Sequence, residues 1–331
     1  MILVSGATGR IGSQVVRTLR RLSLDVRALV RKGSEYFWLN DSGCRYFFGD
    51  LRDPASLARA IVGARYLVCC ATVGRESRDN HHENVTVGGL QHLVDAARQV
   101  GVERVVLVSC LGVGHGFSNV VFEARQRAED ILSGSGLPFT ILRTGLHEGP
   151  FLDLAFRVKE AGSVLLPGPG KNLISPLACQ DVARMAAASL DLASVKDQIV
   201  EVGGATMSAH QAFEAACLAV GVPPTGRVLP EPAVSFGSRL GRPLRRWSNR
   251  LAEMAVWWNQ DLTVDAVASA GRFGLKLTPL DVALAAGAER MAKLRDPEQR
   301  EAMVVHRQFY ATIYEPGTAR LEDLPEGPPR R

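Results

Sequence analysis

Over the first 145 residues, short apolar runs alternate with segments whose apolar positions recur at a helical period. Ile2–Val4 leads into a stretch whose inner stripe is Val15, Val16, Leu19 and Leu22. Val26–Val30, Tyr46–Phe48, Tyr66–Cys70, Val105–Val108 and Phe139–Leu142 are further runs of strand length. Between them, Asp53-Pro54 starts a helix with the acid at the cap and proline at the first helical position. Asn84–Val100 carries Leu90, Leu93, Val94 and Ala97 on one face, and Asn119–Leu132 reads as another helix. Strands alternating with helices of this length predict a parallel sheet covered on both faces, a doubly wound α/β fold.

Past Arg143 the rhythm loosens. Residues 145–172 are rich in Gly and Pro, including Leu166-Pro167-Gly168-Pro169-Gly170, and read as loop. A helix over Gln180–Leu192, a strand over Ile199–Val202 and a helix over Ser208–Val220 follow. The remainder reads as less regular helix, with a disordered tail at Leu324–Arg331. The expected organisation is a core over 1–145, a smaller α/β lobe over 146–323 that returns strands to the main sheet, and a tail over 324–331.

Composition changes this picture little. Of 331 residues, 46% are hydrophobic and 22% charged, a balance able to bury a sizeable core. The net charge of +5 argues against a dedicated nucleic-acid binder. The six cysteines show no CxxC pair and no metal-ligand spacing with the histidines, so they read as buried thiols of a reducing compartment, with no metal expected. Met1-Ile2-Leu3-Val4 runs straight into a glycine turn, so no cleavable leader is expected and a cytoplasmic location is.

That turn is Gly6-Ala7-Thr8-Gly9-Arg10-Ile11-Gly12. Between a strand and a helix it gathers backbone N–H groups and the positive end of a helix dipole, which suits a pyrophosphate. Gly6 permits the tight turn, Gly9 the approach of a phosphate and Gly12 close helix–sheet packing, the pattern of a dinucleotide site. An NAD site places an acid at the end of the second strand; here Val30 is followed by Arg31-Lys32. Two cations there favour a 2′-phosphate, hence NADP(H) over NAD(H).

These residues, with the strand end Ala28-Leu29-Val30-Arg31, Gly49-Asp50-Leu51-Arg52-Asp53, Asn84, Gly101-Val102-Glu103-Arg104-Val105-Val106 and Ser135–Arg143, resemble the atypical or extended short-chain dehydrogenase/reductases. The NmrA-like branch is the most similar. The resemblance covers residues 1–220 and, more faintly, Trp257-Trp258-Asn259 to Leu280. It implies a Rossmann core in which Asp50 and Leu51 line the adenine pocket, with Ala71 and Thr72 beside the ribose and pyrophosphate.

The same resemblance implies a Tyr and a Lys at i and i+4 on the helix after the fifth strand. Lys holds the nicotinamide ribose and lowers the Tyr pKa, so that Tyr can exchange a proton with substrate. On Asn119–Leu132 those places fall to Val121 and Arg125, and no tyrosine lies between Tyr66 and Tyr310. Arg125 can hold ribose hydroxyls but stays charged. Ser109, at the fifth strand end, falls where the family's active-site Ser/Thr stands. His115, in a glycine-rich loop, is a candidate replacement acid, or simply a loop histidine. His147-Glu148 reaches the same sheet edge, whereas His81-His82 reads as exposed. The catalytic candidates are therefore Arg125, Ser109 and His115.

The basic stretch Arg239–Arg250 interleaves five arginines with Leu240, Leu244 and Trp247. It reads as a solvated face with its apolar stripe on the core, or as a contact for an anionic membrane surface or acidic partner. Taken together, the sequence points to an NADP(H)-binding protein without the usual tyrosine, acting as a redox-sensing, regulatory or assembly factor with an unknown small-molecule or protein partner. The alternative is an NADPH-dependent oxidoreductase that reduces a quinone, enone or similar acceptor.

Overall fold

Every pairing in the central sheet is parallel, as continuous apolar strands buried on both faces require. The computed structural model describes residues 1–34, 36, 39, 42–73, 77–117, 119–229 and 254–295. Its strands are β1 (Ile2–Ser5), β2 (Val26–Val30), β3 (Arg45–Phe48), β4 (Tyr66–Cys69), β5 (Arg104–Cys110), β6 (Phe139–Thr144), β7 (Val164–Leu166), β8 (Leu173–Ile174), β9 (Gln198–Val202), β10 (Met207–Ser208) and β11 (Gly226–Val228). Seven of them form one sheet in the order β3-β2-β1-β4-β5-β6-β9. Strand order reverses between β1 and β4, and in open sheets of this kind ligands bind outside the carboxyl ends at that point.

Two helical layers cover the sheet. On one face Val15, Val16 and Leu19 of α1 (Arg10–Arg21) and Val182, Met185 and Ala186 of α6 (Cys179–Ala188) pack with Val4, Val106 and Leu142. On the other, α2 (Pro54–Ala60), α3 (Gly88–Val100) and α4 (Val120–Ser133) bring Leu57, Leu93, Ala97 and Leu132 against Leu3, Leu67 and Ile141. Asp53 caps α2 as expected, its side chain accepting from the Ala55 N–H at 3.0 Å. A third cluster joins α5 (Glu148–Ala161), α7 (Ala209–Val220) and a late helix over Leu280–Arg295 through Phe151, Phe213, Leu284 and Trp258.

The structure departs from the sequence pattern in two places. Residues 145–172, read as loop, contain the fourteen-residue helix α5. Its Gly149 and Pro150 lie in the first turn, where proline is tolerated, so they mark a helix start and not a break. The helix expected over Asn84–Val100 begins with a π turn, Glu83–Val87, before α3. That turn reaches the carboxyl edge of β4, and such turns recur at functional sites. β9, from the later part of the chain, pairs with β6. The basic stretch Arg239–Arg250 and the tail 324–331 lie outside the described residues.

Candidate functional site

Glycine is obligatory at two points of the first strand–helix turn. Gly6 has φ +67°, and a Cβ there would stand 2.5 Å from the Ala71 backbone nitrogen. A Cβ on Gly12 would stand 2.1 Å from the Gly6 carbonyl oxygen. The turn is thus pressed against both β4 and its own helix. Gly9 is the N-cap of α1 and is exposed; no side chain caps the helix, and its first turn holds no acid. An open, positively polarised helix end is what a pyrophosphate needs.

Beside this turn a cleft runs between β4, β5, the π turn, α3 and α4. It gathers Leu51, Ala71, Thr72, Ser109 and Arg125, all named from the sequence, and adds Thr86. The Arg125 Nε is buried without a hydrogen-bond partner. A cation held in this way calls for an oxygen-rich ligand. The open helix end and the polar groups of the cleft are chemically suited to a dinucleotide.

Other predicted residues stand apart from the cleft. Arg31 and Lys32 are exposed beyond β2, with Arg31 donating to Asn80 Oδ1 at 3.1 Å. Arg10 contributes backbone to the helix end, but its guanidinium turns away to fork onto Asp153 of α5, at 2.7 and 3.0 Å. His115 is exposed, its ring 5.8 Å from that of Phe117, and lies outside the cleft lining. His82, expected to be exposed, is buried, its Nδ1 3.2 Å from Thr86 Oγ1.

Val121 is 4% exposed and lies one turn before Arg125 on α4. At the position to which the resemblance assigns a tyrosine, the side chain is thus a buried aliphatic one. Behind the cleft, Ser109 Oγ donates to Glu129 Oε1 at 2.5 Å, and Arg143 forks onto the Glu129 carboxylate at 2.7 and 3.0 Å. Glu129 is 1% exposed. With its hydrogen committed to a carboxylate, the Ser109 oxygen keeps only acceptor capacity. Neither Glu129 nor Arg143 was marked by sequence. Four residues after Arg125, and therefore on the same side of α4, Glu129 was the available signal.

His147, Glu148 and Cys179 bring donor atoms within 4.8 Å of one another at the start of α5 and α6. The His147 Nδ1 accepts the Gly149 N–H at 3.0 Å and Glu148 accepts the Cys179 N–H at 2.9 Å. A neutral ring accepting at Nδ1 carries its proton on Nε2, so this arrangement caps helices and offers no free imidazole lone pair to an ion. Burial pushes the His147 pKa down to about 4, Arg10 and Arg125 adding to the effect and Glu148 opposing it. The folded value lies below the ordinary 6.5. The neutral ring is thus favoured by folding, its contribution is complete above pH 6.5 and it is lost as pH falls toward 4. Over that window the wild type should lose up to about 1.4 kcal/mol per pH unit relative to His147→Asn, which keeps a cap acceptor. Urea midpoints at several pH values measure this; parallel curves would contradict it.

The NAD(P)H-binding family model matches residues 6–191. The chain is 29% identical over 205 residues to the photosystem II assembly factor Ycf39 of Cyanophora paradoxa, covering 61% of this chain and 63% of that one, so it spans less than two thirds of that relative. It is 30% identical over 207 residues to the NAD(P)H azoreductase of Xenophilus azovorans, covering 62% and 68%. Its fold superposes with a TM-score of 0.69 on the NADPH-dependent quinone oxidoreductase QOR2 of Escherichia coli complexed with NADPH, at 21% identity, over 88% of this chain and 99% of that one. With the glycine turn, the sheet order and the cleft in place, the chain belongs to the NAD(P)H-binding family, in the NmrA-like branch of the atypical short-chain dehydrogenase/reductases.

Proposed function

We propose that the protein binds NADP(H) and works as a redox-sensing, regulatory or assembly factor, not as a tyrosine-dependent reductase. The observation that carries this is Val121, buried on α4 one turn before Arg125. Bound NADPH supplies a hydride donor. The chain supplies amides at the α1 end for the pyrophosphate, Arg31 and Lys32 for a 2′-phosphate, and Arg125 with an acceptor oxygen on Ser109 near the nicotinamide end. At Val121 it supplies no proton, so an alkoxide formed from a simple ketone would go unprotonated. The partner is a small molecule or a protein. The assembly-factor relative supports a protein, and no helix of the described residues is long and apolar enough to cross a membrane.

A second reading is favoured by the placement of Ser109 and Arg125 in one cleft. A permanently charged guanidinium stabilises negative charge left on an acceptor by hydride transfer. A quinone or enone reduced in this way leaves an anion that water can protonate later. Calorimetric titration with NADPH, followed by absorbance at the nicotinamide band with a panel of quinones, enones and carbonyls, separates the readings. Tight NADPH binding without consumption is expected. Steady turnover with any acceptor would replace the first reading with the second.

A further inference from the structure

We propose that Arg52 sets the preference for a 2′-phosphorylated dinucleotide by cancelling the charge of Asp50; this rests on the NADP(H) reading above. Asp50 follows β3 and Arg31 follows β2, in strands paired with Val30 opposite Phe48, so both stand at one point of the carboxyl edge. A bare carboxylate so near Arg31 would repel a 2′-phosphate held by that arginine. Asp50 is not bare. Arg52 Nε donates to Oδ1 at 2.9 Å and its terminal nitrogen to Oδ2 at 2.6 Å, with the Arg52 backbone N–H adding a third bond to Oδ1 at 2.9 Å.

Both carboxylate oxygens are therefore engaged. Chiefly through the Arg52 side-chain hydrogen bonds, with burial opposing, the Asp50 carboxyl is held below its ordinary range, and Arg31 adds in the same direction. Beyond this pair, Arg31 and Lys32 put two exposed cations at this edge. Arg52 also donates to the Asp79 carbonyl, while Arg31 reaches Asn80, so both arginines hold the turn over Ser77–Asn80 that leads toward the π turn. With side chains 33% and 25% exposed, Arg52 and Asp50 can be changed without opening the core.

The test is calorimetric titration of NADPH and NADH into the wild type, Arg52→Gln and the double variant Asp50→Asn/Arg52→Gln. The wild type is expected to bind NADPH at least about tenfold more tightly than NADH. In Arg52→Gln that ratio should fall about tenfold, through weaker NADPH binding alone, and the double variant should regain it. The difference should shrink as salt rises. An unchanged ratio in Arg52→Gln overturns the proposal. So does equal weakening of both nucleotides, which would assign Arg52 to the turn and not to selectivity. Equal wild-type affinities would overturn the NADP(H) reading itself, and this inference with it.

Discussion

Gly12→Ala is expected to bind NADPH about a hundredfold more weakly than the wild type, ~2.8 kcal/mol, in a calorimetric titration. The added carbon would stand 2.1 Å from the Gly6 carbonyl oxygen, 2.7 Å from its carbon and 3.0 Å from the Ala7 Cα. All three are backbone atoms, so no side chain can swing away. Either the first turn of α1 withdraws or the turn after β1 opens, and both carry the helix-end amides from where a phosphate would lie. Packing strain adds about 1–3 kcal/mol of destabilisation. Circular dichroism separates a displaced turn from a lost fold. A folded Gly12→Ala protein with unchanged affinity would contradict the assignment of this turn.

Glu129→Ala should be the most destabilising change in the neighbourhood of the cleft, about 3–5 kcal/mol by urea unfolding. It leaves the Arg143 guanidinium, 16% exposed, with only the looser contact to Glu201 at 3.6 Å, and it strands the Ser109 hydroxyl. The expected cost is that of an uncompensated buried charge, not the net worth of the pair. Replacing Glu129 and Arg143 together with methionine should therefore cost much less than Glu129→Ala alone. A loss under about 1 kcal/mol in the single variant would show that water already reaches the pair.

The elements that fix the fold were legible because they repeat a period. The seven strands of the central sheet and the helices α1, α2 and α4 were each marked by apolar spacing or by a cap, and the structure places them there. α5 was not, because Gly149-Pro150 looks like a breaker until its place in the first helical turn is known. The cleft residues were legible in part. Ser109 and Arg125 were marked by the resemblance, at the fifth strand end and on the helix after it, and both line the cleft. His115 did not join them, because its loop carries it to the surface. The long-range partners were illegible. Glu129 and Arg143 meet only because α4 lies over β6, and Arg10 meets Asp153 across 143 residues of chain. Apolar periodicity sorts inside from outside and does not encode such pairs.

The Arg10–Asp153 fork has a thermodynamic consequence. Arg10 is the first residue of the helix whose end faces the pyrophosphate, and Asp153 belongs to the helix packed on α7 and the late helix. The fork therefore ties the first residue of α1 to α5. If a movement of α5 that breaks the fork also displaces the helix end, it changes dinucleotide affinity, and by reciprocity the dinucleotide changes affinity for whatever drives that movement by the same factor.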